Sequence, residues 1–272
     1  MHSSSYESWN CRSGSYYAVF CRDVLSLGKG AYESIVVLSM KQKILVGLVY
    51  GVVLSSMLAI SIWSNLAVTV MSRQIPISGR VCIVIDAGHG APDGGAVSCT
   101  GVHESGINLE ISRRLDDLLH LLGYDTKMLR TGNNSVYTEG ETIGQKKVSD
   151  LKERVRLVNE QENAILLSIH QNHYSDSRYS GAQMFYAQTT GSQDLAKVLQ
   201  QSFVTHLNPG SHRQAKRSQG IYLMEHVDKT AVLVECGFIS NPAEEAKLRS
   251  HEYQKKICCV IASALSNYLT NT

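Results

Sequence analysis

The sequence carries no excess of either charge: 26 lysines and arginines stand against 24 aspartates and glutamates, leaving +2 over 272 residues. Proteins that grip nucleic acid concentrate basic residues on one face, so no nucleic-acid partner is expected. CxxC spacing is missing too, which removes support for a thiolate zinc site or a dithiol redox motif. The seven cysteines are an odd set: Cys82 and Cys236 lie in apolar runs, and Cys258 and Cys259 are adjacent. Such placement implies small buried hydrophobes rather than a disulfide framework. No segment recurs at intervals of about 20–50 residues, which argues against solenoids and propellers.

The longest absence is of charge itself. From Ile44 to Ser72 there is no charged residue, and about 20 apolar residues suffice for a helix to cross a bilayer. Lys41 and Lys43 precede the run, a basic flank that favours a cytoplasmic N-terminus and export of the downstream chain. A cleaved signal has a shorter apolar region ending in a small-x-small site, and Ala67-Val68-Thr69 fits that site poorly. Residues 44–72 are therefore read as a retained membrane anchor, the protein being secreted instead if the segment is a cleaved signal peptide. Residues 1–43 are read as an N-terminal segment, disordered or upstream of a true start at Met40, where "MKQKILVGLVYG" has the basic opening of an export signal.

The length allows one well-cored domain plus this appendage. From about residue 78 to 272 apolar runs alternate with helix-period segments. Val81–Ile85 reads as a strand. Glu104 to Leu122 carries Ile107, Ile111, Leu115, Leu118 and Leu122 at helical spacing and stops at Gly123. Further strands are expected at 124–129, 164–169, 182–187, 220–224 and 231–235. Helices are expected at about 150–161 and 192–206, with two more closing the chain. This order predicts an α/β fold: a single domain with a twisted, largely parallel sheet flanked by helices, preceded by the transmembrane or signal segment.

Three polar residues stand at three strand ends. His89 follows "VCIVID" across a glycine-rich turn, His170 directly follows "AILLSI", and Glu235 ends "AVLV". In open α/β sheets ligands bind beyond the carboxyl ends of the strands, so parallel neighbours would bring these side chains to one edge. Glu104, at the start of the first long helix, can fold back towards His89. Two imidazoles and a carboxylate form a common catalytic zinc set with one open position. Glu235 would then serve as general base and proton donor, with Asp86 orienting a ligand. Each residue also has a plainer use: a structural histidine, a helix-start carboxylate for Glu104, or a buried partner of Arg130 or Arg154 for Glu235. His103 and His173 are rival ligands on spacing alone.

Four motifs in series carry a resemblance. "IVIDAGHGAPDGGAV", "HESGINLEISRRL", "LLSIHQN" and "AVLVECGFISNPAEEAKL" resemble, in order, the segments of the zinc-dependent N-acetylmuramoyl-L-alanine amidases of the Amidase_3 type. "YSGAQMFY" and "AKRSQGIYLM" are similar to the spore-cortex germination branch of that family. The resemblance implies one zinc per chain held by His89, Glu104 and His170, with Glu235 as the catalytic acid/base. It implies cleavage of the amide between the muramic-acid lactyl group and L-alanine in peptidoglycan. In spore cortex this would prepare muramic-δ-lactam with a partner deacetylase, and an activating protein partner is a further expectation. Asn172, Arg130 and Arg154 are expected substrate contacts. The chain departs from the family pattern at Ala87, Ala91, His173 and Thr230; none of these is an expected ligand, although His173 puts the contacts around Asn172 in question. Two other readings are a zinc peptidase acting on peptidoglycan cross-bridges and a non-catalytic cell-wall-binding or activator protein.

Overall fold

A computed structural model of the chain describes residues 39–71 and 81–271. The expectation for the N-terminal segment therefore lies, for residues 1–38, outside the described residues. The chain divides into two units, Met1–Arg73 and Gln74–Thr272.

In the first unit, α1 is the 32-residue helix Met40–Met71. Its stretch Met40–Ser61, with mean hydropathy 2.2, is long and apolar enough to cross a membrane.

The second unit is built on six strands: β1 (Cys82–Ala87), β2 (Asp125–Met128), β3 (Ala164–Asn172), β4 (Gln183–Tyr186), β5 (Lys216–Arg217) and β6 (Thr230–Phe238). Their order is β2-β1-β3-β6-β4-β5. β2, β1, β3 and β6 run parallel, and β4 returns antiparallel to β6. The helices are α2 (Glu104–Leu121), α3 (Ile143–Asn159), α4 (Ser192–His206), α5 (Tyr222–His226), α6 (Pro242–Leu248) and α7 (His251–Asn271).

Alternation along the strands sorts the core into two layers. Ile83, Ile85, Ile165, Leu167 and Val234 face α2, α4 and α7, where Ile111, Leu115, Leu199, Phe203 and Ile261 meet them. Val84, Leu166 and Leu233 face the other way, against Val158 of α3 and Leu223 and Met224 of α5. Both sheet faces are thus covered, which is why the central strands read as near-continuous apolar runs.

Three local expectations are corrected. Residues 220–224 do not form a strand; α5 begins at Tyr222, because the adjacent Leu223 and Met224, together with Val227, are buried in one cluster. That spacing belongs to a helix, whereas a strand would turn neighbours to opposite faces. Helix α3 starts at Ile143 rather than near Asp150, since Thr142 and Gln145 form a reciprocal capping box. Finally, Cys236 and Cys258 are buried but Cys259 is exposed, because adjacent positions on α7 point in different directions.

The capping box yields a prediction. Thr142→Ala should lower unfolding stability by about 1 kcal/mol, measured by urea titration; an unchanged midpoint would mean the box adds nothing.

Candidate metal centre and active site

The strand order reverses between β1 and β3: the chain moves from β1 outward to β2, then crosses back to β3 on β1's other side. Such a switch point opens a crevice beyond the strand ends. The loop leaving β1 enters it through Gly88 and His89, the latter at φ +60°. A Cβ at Gly88 would lie 2.2 Å from His170 Nε2, and one at Gly95 would lie 2.7 Å from Glu104 Oε2. Glycine at these two positions makes room for the side chains that meet here.

Three of them converge. Glu104 reaches His89 Nε2 through Oε2 at 3.2 Å and His170 Nδ1 through Oε1 at 3.0 Å. One donor atom from each of the three lies within 4.8 Å of the others, a spacing that could hold a metal ion. The Glu104 carboxylate also accepts hydrogen bonds from the backbone N–H of Ala96 and Gln171 and from Asn108 Nδ2. Burial works against its charge, but the two imidazoles outweigh that and hold the carboxyl far below the usual range. On its far side His89 Nδ1 meets Asp93 Oδ2 at 3.0 Å. Asp93 also pairs with Lys147 at 3.0 Å and accepts from Gly95 N at 3.1 Å. Against the effect of partial burial, these partners draw its pKa down to about 2.

Glu235 stands beside this group, in register with His170 across β3 and β6. Its Oε2 is buried and has no hydrogen-bond partner. Burial pushes its carboxyl up to about 7, so near neutrality it can both take up and release a proton. A cavity of about 220 Å³ adjoins His89 and His170, walled by Leu151, Ile221, Tyr222 and Leu223, with Lys147 at its edge.

Comparison with known proteins decides what this arrangement belongs to. The N-acetylmuramoyl-L-alanine amidase family matches residues 83–267. The chain is a member of that family. It is 37% identical to the germination-specific N-acetylmuramoyl-L-alanine amidase of Bacillus subtilis over 199 residues, 72% of this chain and 83% of the relative. Among solved structures, the CwlD amidase from Clostridioides difficile in complex with the GerS lipoprotein superposes with a TM-score of 0.68 at 32% identity, covering 71% of this chain and all of that one. An N-acetylmuramoyl-L-alanine amidase from Clostridium difficile 630 gives 0.62 at 26% identity, over 71% of this chain and 98% of the other. The chain is thus a cell-wall hydrolase that cleaves the amide between N-acetylmuramic acid and L-alanine in peptidoglycan.

Within this amidase, the rivals His103 and His173 are exposed and stand outside the converging set. Asn172 ends β3, half-buried, opposite Phe238. Arg130 and Arg154 require a correction: they are 4% and 2% exposed, and neither pairs with Glu235. Arg130 donates to the carbonyls of Ala87, Gly88, Ser105 and Gly132. Arg154 donates to the carbonyls of Ala87 and His89 and pairs with Asp86 and Asp150. Their donors are committed to holding the loop rather than to substrate.

Asp86, expected to orient a ligand, instead accepts from Arg154 and from Ser168 Oγ at 2.6 Å. Asp93, which sequence reasoning passed over, is the carboxylate that grips His89. Its signal was its place four residues after His89, ahead of Gly94-Gly95 in the same motif.

Removing the Arg154 charge should expose the cost of this framework. Arg154→Met leaves the Asp86 carboxylate buried without its cation, so unfolding stability should fall by roughly 3–5 kcal/mol. Urea denaturation measures this; a loss below about 1 kcal/mol, the scale of a surface pair, would contradict the role.

Proposed function

We propose that the chain is a zinc-dependent amidase of the spore cortex, with His89, Glu104 and His170 as ligands of one zinc ion and Glu235 as the proton carrier. The observation that carries the reading is the buried, unpartnered Glu235 oxygen beside two imidazoles and a carboxylate. A buried polar atom without a partner is costly, and a water or substrate group beside the ligands would supply one. The donor set also suits zinc, which favours imidazole nitrogen and carboxylate oxygen in four-coordinate sites.

Zinc bound there would polarise the lactyl carbonyl and lower the pKa of a water molecule to about 7. Glu235 then takes a proton from the attacking water and delivers it to the leaving nitrogen of L-alanine. The products are the muramic-acid carboxylate and the free peptide amine. Asp93, bonded to His89 Nδ1, would fix the tautomer that leaves Nε2 free to serve as a metal ligand. Asn172 is the remaining candidate for a substrate contact.

The germination-specific relative supports a role in stripping peptides from cortex strands ahead of muramic-δ-lactam formation. Residues 78–272 are the catalytic domain of this proposal, held on the extracytoplasmic side by the apolar helix α1. A similar amidase was solved with a lipoprotein, which supports an activating protein partner for this chain.

Four measurements test the reading. Elemental analysis should find one zinc per parent chain and its loss in His170→Ala. Asp93→Asn should weaken zinc binding by about 10–100-fold in chelator competition. Undiminished zinc in His170→Ala would reject the ligand set. Glu235→Gln should keep zinc but lose at least ~10²-fold in turnover on cortex muropeptides. Because Glu235 must be ionised to accept a proton, parental turnover should fall as pH drops through its pKa. A bound cation favours the ionised form, so this acid limb should lie below the value of about 7 set by burial. A near-normal rate for Glu235→Gln would reject the assignment.

A further inference from the structure

Just beyond the ends of the two strands that bring His170 and Glu235 together lies an aromatic pair with no catalytic duty. Tyr174 and Tyr179 are 50% and 47% exposed, and they are the only tyrosines, phenylalanines or tryptophans exposed among the described residues of the second unit. Their rings meet edge to face, with centroids 4.6 Å apart at 61°. Tyr179 leans in turn on the buried ring of Phe238, 6.1 Å away. The backbone beneath is pinned: Tyr174 N donates to Ser240 Oγ at 3.0 Å, and Asn241 Nδ2 donates to the Tyr179 carbonyl at 3.2 Å. Large exposed aromatics held in place have a physical cost and mark contact sites.

Position and charge identify the occupant. Phe238 pairs with Asn172 at the end of β3, so the patch continues the edge that bears the candidate metal centre. Four residues of chain place the Tyr174 Cα no more than about 14 Å from that of His170. Two neighbouring arginines are already engaged: Arg178 is bonded to Asp176, while Arg213 lies over the Phe238 ring and donates to the Ser180 carbonyl. With both arginines engaged and two phenol rings presented outward, the patch suits a neutral ring better than a carboxylate-bearing stem peptide. A pyranose fits that description. Its C–H face, slightly positive, packs on the electron-rich face of an aromatic ring, and its rim hydroxyls can bond phenol oxygens.

We propose that Tyr174 and Tyr179 form a sugar-stacking subsite that seats a ring of the glycan strand next to the muramic acid being cleaved. The inference rests on the amidase reading of the site and extends it from the scissile amide to the polymer.

The test uses the full chain loaded with zinc and two substrates: peptide-bearing glycan strands and a single-sugar N-acetylmuramoyl peptide. In Tyr174→Ala/Tyr179→Ala, KM on strands should rise about fivefold to tenfold, the effect of losing one aromatic stacking contact. The kcat should be unchanged, and kcat/KM on the single-sugar substrate should stay at the parental value. Tyr174→Phe/Tyr179→Phe, which keeps both ring faces, should retain most of the strand affinity. An unchanged KM on strands, or equal losses on both substrates, would overturn the proposal.

A second measurement separates it from the amidase reading: binding of peptide-free glycan strands to the chelator-treated chain. The parent should bind and the double alanine variant should bind more weakly by a similar factor. If the parent cleaves muramoyl peptides but does not bind bare strands, the subsite fails and the amidase reading survives. If it binds strands but cleaves nothing, the reverse holds. Should the alanine variants keep strand affinity yet change the sedimentation of the full chain, the pair is a protein contact and the proposal falls.

Discussion

Two buried guanidinium groups hold the backbone on which the candidate metal centre rests. β1 ends at Ala87, and the carbonyls of Ala87, Gly88 and His89 must find donors outside the strand ladder. Arg130 serves Ala87 and Gly88, and Arg154 serves Ala87 and His89. Arginine suits the task because its planar fork offers several fixed donors at once. Burying two such cations is unfavourable by itself, and Asp86 and Asp150 offset it. Burial opposes charge on Arg154, yet these two carboxylates outweigh it and raise its pKa. Arg130, desolvated and repelled by Arg154, is drawn down to about 10 and remains charged at neutral pH. The direction in which His89 points depends on this grip.

Two glutamates then share one crevice in opposite electrostatic states. Glu104 is surrounded by donors and held far below the usual carboxylate range, the state its proposed ligand role requires. Glu235 has a buried oxygen without a partner, and burial pushes its carboxyl up to about 7. Environments that drive two carboxyls apart separate a ligand or stabiliser from a proton carrier. The separation arises from topology: Glu104 lies at a helix start where backbone N–H groups reach it, whereas Glu235 sits within a central strand beside His170.

The glycines of the first motif owe their positions to side chains far along the chain. Gly88 clears the His170 ring, 82 positions later, and Gly95 clears Glu104 and His89. Read as a string, "GHGAPDGG" is only a turn; the spatial requirement becomes apparent when β3 lies beside β1. The same holds for Asp93, whose carboxylate becomes a partner of His89 through the path of a loop that hydropathy periods do not describe.

Apolar periodicity, strand-end polarity and motif order were enough to read the α/β class, the parallel core and His89, Glu104, His170 and Glu235 as a candidate set, because burial imprints itself on residue type position by position. The span of α4 and the start of α2 were legible for the same reason. The use of Arg130 and Arg154 was not, since an arginine in a helical or loop segment looks the same whether it faces solvent, substrate or buried carbonyls. Nor was α5, where five residues are too few for a period to declare itself. Those assignments depend on which backbone groups remain unpaired after the strands align, and only the tertiary structure decides that.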